Sequence, residues 1–193
     1  MHQGSIYQWE LLLTLQGVSM RILRISKIEE YSNMSRISRE QIHMATAYLW
    51  GQRSTCKRPN RKIGAVITTE DMTQILAIGY NGPAKGLPND YCKGNEGSCG
   101  CLHAEMNAIA KADSTIPNKI LFVTMSPCEM CASLIAQANI SKVWYLEDYR
   151  TNDGLKILCQ CGIQFDQMDS DQLEMSIIVN KESTLLERLN KLC

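Results

Sequence analysis

The sequence predicts an α/β protein built on a mixed sheet with helices packed on both of its faces. Three observations carry this. Short β-rich runs alternate with stretches of helical composition, the pattern of units that bury a sheet between helices. The first two β-rich runs are joined by Thr69-Glu70-Asp71-Met72-Thr73, a polar connection that suits a hairpin. The 193 residues suit one domain with a real core and a short appendage.

The elements follow in order. Ser38 and Gln41 form a capping box. A helix is expected from there to about Arg53, with Ile42, Ala45, Tyr48 and Leu49 on its apolar face. Ile63 to Thr68 and Gln74 to Tyr80 read as strands. A polar loop rich in Gly, Asn and Cys runs from Asn81 to about Leu102. Loops of that length are uncommon unless they do something. His103 to Ala112 reads as a helix, Lys119 to Met125 as a strand, and Cys128 to Asn139 as a helix. Lys142 to Leu146 is an apolar strand, Asn152 to Cys161 a helix, and Ile163 to Phe165 a short strand.

Three segments are expected. Residues 34–166 form the domain. Residues 1–33 are an N-terminal extension without sustained period, outside the domain, non-native or disordered. The native protein is expected to start at Met34, with Glu29-Glu30 a few codons upstream as purine-rich sequence; a loosely ordered native arm is the other reading. Residues 167–193 form a tail with Ile177-Ile178-Val179 and a last helix from Glu182 to Leu192.

Forty-five per cent of residues are apolar and 21% charged, an ordinary soluble composition. Twenty basic residues balance twenty acidic ones. A protein that holds long nucleic acid usually carries a basic excess or stripe, so a small substrate is favoured over a polymer. Trp9 to Leu15 is too short and too poorly flanked for a signal peptide, and nothing approaches membrane-spanning length. Nine cysteines, an odd number, fit a closed disulfide framework poorly. A cytoplasmic protein with reduced or metal-bound cysteines is expected.

The chemistry lies in His103-Ala104-Glu105 and Pro127-Cys128-Glu129-Met130-Cys131. Each half alone is weak, since a His near a helix start is often structural and a Cys-x-x-Cys has several explanations. Together they form the His-x-Glu…Pro-Cys-x-x-Cys signature of zinc deaminases. Catalytic zinc takes three protein ligands and leaves one position for water. Cys128 and Cys131 at a helix start can turn both sulfurs toward one point, where the helix terminus favours thiolate. His103 supplies nitrogen, and Glu105 is the acid–base that moves the proton. Pro127 presets the turn into the ligand helix. A structural zinc would have no use for Glu105. A zinc ribbon would need a second Cys-x-x-Cys knuckle, and a redox pair would leave His103 and Glu105 unexplained.

The chain from about Ser38 to Phe165 resembles the deoxycytidylate deaminases, including phage members and bacterial late-competence homologues. The carrying segments are Arg53-Ser54-Thr55-Cys56, Ile63-Gly64-Ala65-Val66-Ile67, Gly79-Tyr80-Asn81-Gly82, His103 to Ile109, Ser126 to Cys131, and Glu147-Asp148-Tyr149-Arg150. The resemblance implies a three-layer α/β/α fold, cytidine-deaminase-like, with a mixed five-stranded sheet between helices. It implies zinc-dependent conversion of dCMP to dUMP, supplying thymidylate synthesis. It also implies a homo-oligomer, a hexamer in many members, activated by dCTP and inhibited by dTTP.

For the site, the resemblance carries Asn81 over as a substrate contact, although Asn-Gly is also a common turn pair. The Ala104 backbone is expected to meet the base. Tyr149 is expected to stack on the pyrimidine and Arg150 to take the phosphate. Arg53, Lys57 and Lys85 are lesser phosphate candidates. Several family members carry a second zinc in the long loop, which implicates Cys56, Cys92, Cys99 and Cys101. The spacing Cys99-Gly100-Cys101 is tighter than the usual Cys-x-x-Cys, so both sulfurs on one ion is an open point. The loop from Gly82 to Asn95 corresponds to where regulated relatives bind effector nucleotide with Mg2+. Cys159, Cys161 and Cys193 are left as buried small side chains or free surface thiols.

The nearest alternatives are deaminases of other bases. The tRNA adenosine editors need a basic surface, and free cytidine deaminases usually replace the motif His with Cys. Riboflavin-pathway and guanine deaminases lack the Gly-Tyr-Asn-Gly segment. A non-catalytic role in DNA uptake is the alternative from another class.

Overall fold

The computed structural model describes residues 36–95 and 98–169. The chain divides between Arg36 and Ile37, and the description concerns the unit that begins at Ile37. The expected start at Met34, the Ile177-Ile178-Val179 stretch and the last helix lie outside the described residues.

Helix α1 spans Arg39–Gly51, strand β1 Gly64–Thr68 and strand β2 Ile75–Tyr80. Helix α2 is Ala104–Ile109, β3 Lys119–Met125 and α3 Glu129–Gln137. Strand β4 is Ile140–Glu147, α4 Asp153–Gln160 and β5 Gln164–Gln167. The sheet order is β2-β1-β3-β4-β5. β1 runs antiparallel to both β2 and β3, and β3, β4 and β5 run parallel. The expected hairpin and mixed five-stranded sheet are both present.

Period-two alternation divides the core. Ala65, Ile67, Leu121, Val123, Val143 and Tyr145 point to one face and pack with Ala104, Ala108, Ala132, Ile135 and Leu158 from α2, α3 and α4. Val66, Ile120 and Phe122 point to the other face and meet Met44 and Ala47 of α1. Helices therefore cover both faces. β3 is central and buried at every position, as a strand covered on both sides must be.

The expected apolar face of α1 is corrected. Ser38 and Gln41 do form the capping box. However, Ile42, Tyr48 and Leu49 are exposed, and the buried residues are His43, Met44, Ala47 and Gly51. The reason is close approach. A Cβ on Gly64 would lie 1.8 Å from the Ala47 carbonyl oxygen, and one on Gly51 would lie 2.8 Å from that of Lys62. Backbone sits on backbone at Ala47 and Gly51, Met44 enters the core beside them, and Ile42, Tyr48 and Leu49 are left on the outside.

Candidate active site

Both halves of the metal signature sit at helix starts. His103 is the N-cap of α2 and Cys128 the N-cap of α3, and neither side chain caps its own helix. Both are turned instead toward each other. His103 Nδ1 lies 3.5 Å from Cys128 Sγ and 3.4 Å from Cys131 Sγ. The three ligand atoms lie within 4.8 Å of one another.

The supporting contacts are backbone contacts. A Cβ on Gly79 at the end of β2 would lie 2.1 Å from the Ala104 carbonyl oxygen. Glycine is thus required for β2 to seat the segment that carries His103 and Glu105. Asn107 Nδ2 donates to the Tyr80 carbonyl at 2.9 Å and ties α2 to the same strand end.

The electrostatics suit a cation. The Cys131 thiol hydrogen bond, followed by that of His103, holds Cys128 down to about 4 against burial. The same hydrogen bond between the two sulfurs, with burial, pushes Cys131 up. The Cys128 hydrogen bond raises His103, although burial opposes it. Burial pushes the Glu105 carboxyl up to about 7, and its own backbone N–H and His103 pull the other way. A thiolate, a second thiol and an imidazole converging on one point are the donor set of catalytic zinc, and they fit it here. Glu105 is the buried carboxyl beside them, outside that donor set.

These groups line one shared cavity. His103, Ala104, Glu105, Cys128, Asn81 and Tyr149 all contribute to its lining. Asn81 is buried, and both ends of its amide hold backbone: Oδ1 accepts from Ile63 N–H at 2.9 Å, and Nδ2 donates to the Arg61 carbonyl at 2.7 Å. It therefore fixes the 61–63 segment as well as facing the cavity. Ser126 Oγ accepts from the Tyr149 N–H at 2.7 Å and sets the start of the Tyr149-Arg150 turn.

The basic residues around the cavity differ from those expected. Arg58 and Arg61 line it, whereas Arg53, Lys57, Lys85 and Arg150 are exposed and do not. Lys57 Nζ donates to the Asp90 carbonyl at 2.9 Å. Arg61 and Arg150 both stack on Tyr149, at 5.6 and 5.3 Å from its ring centroid. Arg61 also donates to Met125 Sδ at 2.6 Å. The runs Lys57-Arg58 and Arg61-Lys62 are the densest basic cluster of the sequence and read there as a solvated loop or as a phosphate contact; Arg58 and Arg61 reach the cavity. Met125 and Ser126 are the lining residues for which the sequence suggested no role.

A second thiol group adjoins the first. Cys56, Cys92, Cys99 and Cys101 bring their sulfurs within 4.8 Å of one another. Gly100 has φ +84°, which reverses the chain so that Cys99 and Cys101 can face one point despite the tight spacing. Cys56, Cys99 and Cys101 also line the cavity. Burial raises Cys56 and Cys101. Burial acts the same way on Cys92, but N–H donors from Lys57 and Gly94 overcome it and bring Cys92 down to about 7. Cys159 and Cys161 are exposed. No helix among the described residues is long and apolar enough to cross a membrane.

The fold and this donor set define a zinc deaminase site, and the comparisons agree. Residues 37–147 match the cytidine and deoxycytidylate deaminase zinc-binding region. The chain belongs to the cytidine and deoxycytidylate deaminase family. It is 34% identical over 148 residues to ComE operon protein 2 of Bacillus subtilis, covering 72% of this chain and 76% of that protein. It is 37% identical over 120 residues to human deoxycytidylate deaminase, covering 57% of this chain and 66% of that one. Among solved structures, it is similar to the dCMP deaminase of cyanophage S-TIM5 in complex with dCMP and dUMP. That match has 37% identity and a TM-score of 0.61, over 70% of this chain and all of the other.

Proposed function

We propose that this protein hydrolyses the exocyclic amine of dCMP to give dUMP and ammonia, supplying thymidylate synthesis. The observation that carries the proposal is the convergence of His103, Cys128 and Cys131 beside buried Glu105, in a cavity that Arg58 and Arg61 also line. The similarity to a structure solved with dCMP and dUMP supports the same substrate.

His103, Cys128 and Cys131 would hold the zinc. When bound, zinc supplies the Lewis acidity that lets a water ionise near neutral pH. Glu105 takes the proton from the water that attacks C4 and delivers it to the ring nitrogen. Glu105 then takes the proton of the C4 hydroxyl so formed and gives it to the amine, which leaves as ammonia while the C4 carbonyl forms. Its burial suits this work, because a carboxyl held near 7 both accepts and gives a proton at neutral pH. The Ala104 backbone meets the base, Tyr149 walls the pyrimidine, and Asn81 meets the sugar while holding Arg61 in place. Arg58 and Arg61 take the 5′-phosphate, and Arg150 acts through its stack on Tyr149.

Cys56, Cys92, Cys99 and Cys101 hold a second, structural zinc in this reading; four converging thiols are the usual structural set. A cytoplasmic homo-oligomer, a hexamer by family habit, completes it. So do dCTP and dTTP effectors with Mg2+ at the loop from Gly82 to Asn95.

The test is loss of cytosine absorbance with dCMP, deoxycytidine, dCTP and CMP side by side. Turnover of dCMP, absent in Glu105→Ala, is the expected result. Equal turnover of deoxycytidine would remove the phosphate from the reading, and no turnover with zinc bound would move the function to another amine.

A further inference from the structure

Gly154 belongs to none of the segments that carry the reaction. It is buried in the first turn of α4. A Cβ placed on it would lie 1.9 Å from the Pro127 carbonyl oxygen and 2.9 Å from the Cys128 carbonyl carbon. Both neighbours are backbone, so no side chain can swing away to make room.

The peptide that Gly154 touches is the one that enters Cys128, and the chain before and after it is hydrogen-bonded in place. Ser126 N–H donates to the Glu147 carbonyl at 2.8 Å, and Ser126 Oγ accepts from Tyr149 N–H at 2.7 Å. The Cys128 carbonyl accepts from Ala132 N–H at 2.8 Å. Leu158, one turn along on the same face of α4, is fully buried and anchors the helix in the core. A side chain at position 154 must therefore push the Pro127–Cys128 peptide, α4, or both. Cys131 lies within α3, buried and a turn away, and is not touched directly. The push would separate Cys128 from the other two ligands.

We propose that Gly154 is a positioning residue of the metal set. Having no side chain, it lets α4 rest on the Pro127–Cys128 peptide and holds Cys128 Sγ at the height of His103 Nδ1 and Cys131 Sγ. Metal affinity is then set in part by a helix that supplies no ligand. This rests on the metal reading above and adds a determinant to it.

The experiment uses full-length Gly154→Ala, with Leu158→Ala as a control that opens a core cavity on the same helix. Zinc affinity is read by chelator competition. The ligand geometry is read from the thiolate-to-metal band of the Co2+-substituted protein. Subtracting the spectrum of Cys128→Ala isolates this site from the Cys56 cluster. Gly154→Ala is expected to lose zinc affinity about 10- to 100-fold, the usual cost of disturbing what supports a ligand, and to shift the band. Leu158→Ala is expected to melt earlier but to keep wild-type affinity and band.

Wild-type affinity and band in Gly154→Ala would overturn the proposal. So would equal losses in the two variants, which would mean a merely structural effect. A wild-type protein that takes up no zinc removes the metal reading and this inference together, whereas a zinc-binding wild type matched by Gly154→Ala removes only the inference. If Gly154→Ala is recovered only as aggregate, refolding across a zinc series decides. Recovery that needs about 10- to 100-fold more zinc than Leu158→Ala needs places the damage at the ligand, by mass action on the folded state, and recovery at the same zinc as Leu158→Ala overturns the proposal.

Discussion

His103 and Cys128 are the N-caps of two different helices, and their ligand atoms stand 3.5 Å apart. Two helix N-termini thus converge on one point, each giving up its side-chain cap to do so.

Glu105→Gln is expected to keep its zinc and lose about 10²- to 10⁴-fold in kcat, the range for a general acid–base. Metal analysis alongside dCMP turnover checks both halves. The same variant carries a pH signature in zinc-free protein. Burial raises the Glu105 carboxyl from 4.5 to about 7. A raised carboxyl stabilises the fold while protonated, so its contribution is full below 4.5 and is lost as pH rises through 7. Zinc-free wild type should therefore lose stability across that window relative to zinc-free Glu105→Gln, as thermal melts at a series of pH values would show.

Arg61→Ala and Arg58→Ala should each raise the KM for dCMP by about 10- to 100-fold, the value of a hydrogen bond to a charged group of ~1.5–3 kcal/mol. Arg53→Ala, Lys57→Ala and Lys85→Ala should change it little, because none of these residues lines the cavity. Steady-state kinetics on the five variants would sink this assignment if the order were reversed.

Removing the second thiol group should act on fold more than on chemistry. Cys92→Ser is expected to lower zinc from two to one per chain and to make the 81–102 segment an early protease target, since metal binding contributes folding energy directly. Zinc content and limited proteolysis measure the two effects. One zinc in the wild type would exclude the second site.

Lys119 is fully buried, and its ammonium donates to the Asp113 and Ile116 carbonyls. Lys119→Met keeps the length and deletes the donor. The fold should lose about 2–3 kcal/mol, the cost of hydrogen bonds to a charged group, with kcat/KM unchanged. Urea unfolding midpoints beside dCMP kinetics test this.

The sequence alone marked the elements that alternate clearly. Lys119 to Met125 was legible to the residue, because a strand buried on both faces is a continuous apolar run. The convergence of His103, Cys128 and Cys131 was legible because each motif is contiguous and sits at a helix start, where local geometry decides which way a side chain turns. Helix α1 was misread on its buried face. Periodicity counts apolar side chains, and the contact is made by Ala47 and Gly51 against backbone.

What the sequence by itself determined is therefore the chemistry: His103, Glu105, Cys128 and Cys131 in two short segments with a fixed local geometry. What only the tertiary structure decided is which distant residues reach that chemistry. Arg61 faces the cavity because Asn81, on another strand end, holds its backbone. Cys56 and Cys92 meet Cys99 and Cys101 because the loop path folds back at Gly100. Gly154 matters because α4 packs on the peptide before Cys128. Each depends on contacts between residues far apart in the chain, and residue type and spacing do not encode the path that brings them together.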